Sequence, residues 1–207
     1  MRIGLFGGSF DPVHYGHLLL AECCREQVAL NQVWFIPAAN PPHKRGSELT
    51  DGMKRVDMLR LATGGQPAFV VSTMELDRGG ISYTVDTLEA LHAQLPASEL
   101  FLLLGSDSLA ELATWRDPAR ICALALPVAV RRAGGPPPDF SPLATLISAD
   151  RLEAIRRLAV EMPLVELSAS AIRRRTAAGL SIRYRTPRAV EQYIAAGRLY
   201  ASTEESR

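Results

Sequence analysis

Apolar and polar positions along this chain follow two periods in alternation. Short apolar runs occupy residues 3–6, 33–36, 68–71, 99–104 and 127–130. Continuous runs of that length predict strands covered on both faces, as in a parallel sheet. Between the runs, apolar residues recur at spacings of three and four. Leu20, Cys24 and Val28 predict a helix over 17–30, and Val85, Leu88, Leu91 and Leu95 one over 83–95. Met53, Val56 and Leu59 predict a third, with Asp51 as its N-cap and Gly64-Gly65 as its stop. Shorter helices are predicted at 108–115 and 117–123, and a longer one at 150–160 before a short strand at 164–167. Helices at 170–178 and 187–196 close the chain, with Pro187 suited to a first turn and Gly179 and Gly197 to C-terminal stops. Residues 134–142 read as a loop rich in Pro and Gly, and the tail beyond Tyr200 is expected to fray.

Strands alternating with helices predict an α/β fold, a Rossmann-like doubly wound parallel sheet with helices on both faces. A small C-terminal helical appendage is expected over about 168–200. No repeat or composition shift marks a boundary, so residues 1–207 are expected to form a single domain. Ligands in such folds bind beyond the C-terminal ends of the strands. The unusual loops fall there: residues 7–17, 38–44, 105–107 and 168–173.

Composition narrows the function classes. The 207 residues are 47% hydrophobic and 22% charged, which suits one sizeable core. The formal net charge is +1, so no global field draws nucleic acid. Arg173, Arg174, Arg175, Arg183, Arg185 and Arg188 therefore read as a solvated face containing one phosphate-binding arginine. The three cysteines, Cys23, Cys24 and Cys122, are odd in number and fit no disulfide framework or zinc spacing. No leader pattern and no membrane-length apolar run is found, so a cytoplasmic protein without membrane partners is expected. Homo-oligomerisation is left open.

The candidate chemistry is concentrated in Gly7-Gly8-Ser9-Phe10-Asp11-Pro12-Val13-His14-Tyr15-Gly16-His17. Two glycines after the first strand fit either a tight turn or the close approach of a ligand to the backbone. The run is neither a GxGxxG fingerprint nor a Walker A loop. His14 and His17 stand three apart at a helix start, where they share one face. Gly16 between them leaves room for a phosphate, and a helix N-terminus attracts one. One capping and one packed histidine is the competing structural reading. No third His or Cys stands nearby to complete a metal site.

This run resembles the G-[TS]-F-D-P-x-H-x-G-H signature of the HxGH nucleotidyltransferase superfamily. Residues 167–173, Leu-Ser-Ala-Ser-Ala-Ile-Arg, resemble that superfamily's second signature, I-S-S-T-x-I-R, with Ala169 in place of a serine. Pro41-Pro42-His43-Lys44, Ser82-Tyr83-Thr84-Val85-Asp86-Thr87-Leu88, Gly105-Ser106-Asp107 and Trp115 are similar to motifs of bacterial nicotinate-nucleotide adenylyltransferases. The stretch from Thr186 to Ile194 resembles their closing segment, with Thr186 replacing Val.

The resemblance implies transfer of AMP from ATP to nicotinate mononucleotide, giving deamido-NAD and pyrophosphate without a covalent intermediate. It implies catalytic roles for His14, His17 and Arg173. Gly7, Gly8, Ser9, Phe10, Gly16, Gly105, Asp107, Ser168, Ser170 and Arg173 would hold ATP. Asn40, His43, Lys44, Tyr83, Thr84 and Trp115 would serve the acceptor, with His43 and Lys44 closing over the phosphates. Mg²⁺ would be carried by ATP rather than by a protein site. A phosphopantetheine adenylyltransferase, a silent nucleotide-binding protein and an RNA-binding protein are the alternatives.

Overall fold

A computed structural model describes residues 1–42 and 49–202. Six strands form one all-parallel sheet: β1 (Arg2–Gly8), β2 (Gln32–Pro37), β3 (Phe69–Val71), β4 (Glu99–Gly105), β5 (Leu126–Arg132) and β6 (Val160–Met162). Their spatial order is β3-β2-β1-β4-β5-β6. The helices are α1 (Tyr15–Gln27), α2 (Gly52–Thr63), α3 (Met74–Arg78), α4 (Thr84–Gln94), α5 (Ser106–Glu111), α6 (Pro118–Leu124), α7 (Ala149–Arg156), α8 (Ala169–Ala177) and α9 (Arg188–Ala196).

The strands look continuously apolar because neighbouring residues enter different cores. In β4, Phe101 and Leu103 join one cluster, whereas Leu100, Leu102 and Leu104 join the other. The first core takes Cys24 of α1, Met58 and Leu59 of α2, Ile172 of α8, and Val190 and Ile194 of α9. The second takes Leu88 of α4, Leu109 of α5, Ile121 of α6 and Ile155 of α7. The expected doubly wound sheet is thus present, and the two C-terminal helices pack into its first core.

Three local expectations change. The last strand is Val160–Met162, paired with Val130–Arg132, and the segment expected as a strand at 164–167 leaves Leu164 61% exposed. A three-residue edge strand carries too little periodicity to separate it from the end of a helix. α3 was not expected, since five residues give little more than one turn of pattern. The helix expected over 108–115 divides into α5 and a 3-10 turn, Leu112–Thr114, after which Trp115 is extended. Asp51 does cap α2, accepting from the Met53 and Lys54 amides at 3.0 and 3.1 Å.

The chain leaves β1 toward β2 on one side and returns to β4 on the other. The loops after β1 and β4 therefore diverge, opening a crevice at the C-terminal edge of the sheet.

Candidate active site

The loop from β1 to α1 is shaped from within. Phe10 has φ 46°, in the left-handed region, and its ring is buried against Phe6, Phe35 and His17. Its side chain is core, and its left-handed backbone bends the loop. A Cβ on Gly8 would lie 3.1 Å from that ring, whereas one on Gly7 would meet no protein atom within 4 Å. Gly7 thus borders open space, where a ligand can approach the chain.

His14 is the N-cap residue of α1, and its backbone N–H donates to Nδ1 of His17 at 3.2 Å. An accepting Nδ1 places the proton of a neutral His17 on Nε2. The two imidazoles stack, with centroids 3.7 Å apart and planes 21° from parallel. Burial, reinforced by the charge of Arg132 at the end of β5, pushes the His14 pKa down from 6.5 to about 4. His14 is therefore neutral at pH 7, and its buried Nδ1 has no hydrogen-bond partner among the described residues. A Cβ on Gly16 would sit 3.0 Å from that nitrogen. A side chain at position 16 would therefore press on the His14 ring. The Tyr15 amide at the helix start donates to the Arg185 carbonyl at 3.2 Å, so the N-terminus of α1 is partly satisfied by the protein itself.

Three distant side chains hold three loop carbonyls. Arg55 of α2 donates to Ser9 O at 2.9 Å, Arg173 of α8 to Asp11 O at 2.6 Å, and Thr186 to Val13 O at 2.7 Å. Ser168 caps α8, accepting from the Ala171 amide at 3.2 Å, and its hydroxyl lies 3.2 Å from that of Ser170. Both serines are exposed at the mouth of that helix.

Beside the loop lies a cavity of about 420 Å³. β1 and β4 form its floor through Leu5, Gly7 and Leu102 to Leu104, and Tyr83, Thr84, Trp115 and Arg116 form its walls. Arg116 lies over the Tyr83 ring, 4.7 Å from its centroid, and 3.4 Å from the Asp86 carboxylate. Deeper in the wall, buried Thr87 donates to Glu75 at 2.6 Å and accepts from Arg78 at 3.0 Å. Ser82 ties the β2 loop to this wall by accepting from the Ala39 amide at 2.8 Å, and Asn40 donates to Gly80 O at 3.0 Å. Gly105 ends β4, and Asp107 is exposed on the first turn of α5. Among the described residues, no group of three or more His, Cys, Asp or Glu is placed to hold a metal ion.

A cytidylyltransferase-like family model matches residues 5–175. A protein of Thermomicrobium roseum, named a probable nicotinate-nucleotide adenylyltransferase, is 43% identical over 98% of this chain and 93% of its own length. One of the same name from Rhodopirellula baltica is 42% identical over 96% of this chain and 92% of its own. This chain belongs to the nicotinate-nucleotide adenylyltransferase family. The fold agrees with that of the Plasmodium falciparum nicotinic acid mononucleotide adenylyltransferase complexed with NaAD. The TM-score is 0.73 at 15% identity, over 96% of this chain and 97% of that one.

Set against this family membership, the motif residues fall into two groups. Gly7, Gly8, Ser9, His14, Gly16, His17, Ser168, Ser170 and Arg173 surround the β1 loop. Tyr83, Thr84 and Trp115 line the cavity, with Asn40 at its edge. His43 and Lys44 lie outside the described residues. Sequence reasoning missed Arg55, Arg132, Glu75 and Arg78, and gave Thr87 and Thr186 a place in motifs but no partner. Arg55 left a signal, as a charge on the apolar stripe of α2 one turn before Leu59. Among the described residues, no helix is long and apolar enough to cross a membrane.

Proposed function

We propose that this enzyme transfers AMP from ATP to nicotinate mononucleotide, releasing pyrophosphate and forming deamido-NAD as a step of NAD biosynthesis. The observation that carries the reading is one crevice holding an aromatic-walled cavity and a phosphate-suited loop that share Gly7 to Ser9. An acceptor ring lodged between Tyr83 and Trp115 would present its 5′-phosphate toward the loop. A phosphate oxygen, already ionised at neutral pH, attacks the α-phosphorus in line. The bond to the bridging oxygen breaks, and pyrophosphate leaves with the electron pair. No general base is needed, and a neutral, buried His14 suits that chemistry.

The task of the protein is alignment and charge stabilisation. His17, with its proton on Nε2, is assigned to the α-phosphate, and His14, stacked beside it, to the triphosphate. Arg173 and Ser170 hold the β- and γ-phosphates, and Asp107 with Gly105 the ribose. ATP enters as its Mg²⁺ complex. Arg116 on the cavity wall supplies a cation that favours the acid over the amide acceptor. These substrates require neither nucleic acid nor membrane, and a cytoplasmic location suits their supply.

Pyrophosphate release by the purified protein tests the reading, with ATP and either nicotinate mononucleotide, nicotinamide mononucleotide or phosphopantetheine. The expected kcat/KM is highest for the nicotinate. Equal or higher values with the amide overturn the acceptor, and turnover confined to phosphopantetheine overturns the function.

A further inference from the structure

Asp11 is 2% exposed although it lies in the phosphate loop. Its carboxylate accepts from the Thr50 amide at 3.1 Å and from the hydroxyl of Tyr200. Its own backbone carbonyl accepts from Nη1 of Arg173 at 2.6 Å. The guanidinium of Arg55, also 2% exposed, contributes a neighbouring positive charge and holds the Ser9 and Thr50 carbonyls at 2.9 and 2.8 Å. One residue thus joins the loop to both ends of the surrounding structure: its side chain to the C-terminal segment, and its carbonyl to the arginine of the second motif.

Tyr200 stands beyond α9, immediately before the tail that is expected to fray. The segment is held in place. Leu199 is buried and its amide donates to Ile194 O at 3.0 Å. Arg198 and Tyr200 have φ of 48° and 62°, left-handed values that cost a non-glycine residue energy and persist only where surroundings impose them. Burial and the Asp11 carboxylate both raise the Tyr200 pKa, which keeps the phenol a donor.

We propose that Tyr200 is a positioning residue for the triphosphate site, orienting Asp11 so that the Asp11 carbonyl fixes the plane of the Arg173 guanidinium. A bidentate phosphate contact depends on that plane, because the guanidinium fork is rigid. The inference rests on the adenylyl-transfer reading above.

Tyr193 provides an internal control. It makes the same kind of bond, donating to the Asp57 carboxylate at 3.0 Å, but from α9 to α2 rather than to the loop. Tyr200→Phe and Tyr193→Phe each delete one hydroxyl and keep the ring. For Tyr200→Phe, the Kd of a non-hydrolysable ATP analogue is expected to rise, and kcat to fall, each about tenfold, as for loss of one hydrogen bond to a charged group. The acceptor KM should stay within about twofold. Tyr193→Phe should lower Tm comparably while Kd and kcat stay within about twofold. The proposal is overturned if Tyr200→Phe lowers only Tm, or if Tyr193→Phe reproduces its kinetic losses. Binding of the analogue needs no acceptor. Absence of turnover in the unmutated protein would therefore count against the functional reading and leave the Kd comparison intact.

Discussion

Gly16→Ala separates two accounts of the same glycine. A Cβ there would lie 3.0 Å from Nδ1 and 3.1 Å from Cε1 of His14. The imidazole has little freedom to yield, because His17 stacks on it at 3.7 Å and its residue caps α1. Overpacking of this kind costs ~1–3 kcal/mol. Gly16 is the second residue of α1, and alanine there returns up to about 1 kcal/mol of helix propensity. The net destabilisation is therefore at most about 3 kcal/mol, or a Tm lowered by no more than about 12 °C for a chain of this size. Activity should suffer more. Displacing the His14 ring also displaces the His17 imidazole stacked on it, and misplacement approaching 1 Å costs on the order of 100-fold. The expected result is a 10- to 100-fold loss of kcat by the criterion of misplaced catalytic groups, read by pyrophosphate release beside a thermal melt. A double-mutant cycle decides the cause. In a His14→Ala background the obstructing ring is gone, so Gly16→Ala should be nearly silent. If it costs as much there as in the unmutated protein, Gly16 serves the ligand directly and the packing account fails.

Three further outcomes follow from the same geometry. Arg55→Met leaves the Ser9 and Thr50 carbonyls and the Asp11 carboxylate without their buried cation, so urea unfolding should show a loss of about 3–5 kcal/mol; a loss below about 1 kcal/mol would refute that role. Because the folded pKa of His14 is about 4 against 6.5, the unfolded chain binds more protons between those values, and stability falls as pH drops through that window. The His14 contribution is roughly 3 kcal/mol in full, so His14→Asn should lose less stability than the unmutated protein between pH 7 and 4.5, and equal losses would contradict the burial argument. Trp115→Ala should raise the acceptor KM roughly 5- to 100-fold, the worth of one ring stack, while binding of an ATP analogue is retained; an unchanged acceptor KM removes Trp115 from the acceptor site.

Legibility differed by element for physical reasons. Strands such as β4 were readable because burial on both faces makes every position apolar, and α2 because Asp51 and Gly64 bracket an amphipathic stripe. β6 and α3 were not, since three and five residues hold little more than one period of the strand or helix pattern. The loop residues were visible through their chemistry: paired histidines beside glycines after a strand. Their internal arrangement was not. Nothing local shows that Phe10 turns inward or that a side chain at Gly16 would press on His14.

The sequence alone determined the doubly wound class and the two family-like motifs, since both rest on spacings of a few residues. Tertiary structure decided what holds those motifs. Arg173 reaches Asp11 across 162 positions, Thr186 reaches Val13 across 173, and Tyr200 reaches Asp11 across 189. A hydrogen bond of that span leaves no period in the chain. It exists because the two helices after β6 fold back into the first core, bringing the last described turn against the loop that follows the first strand.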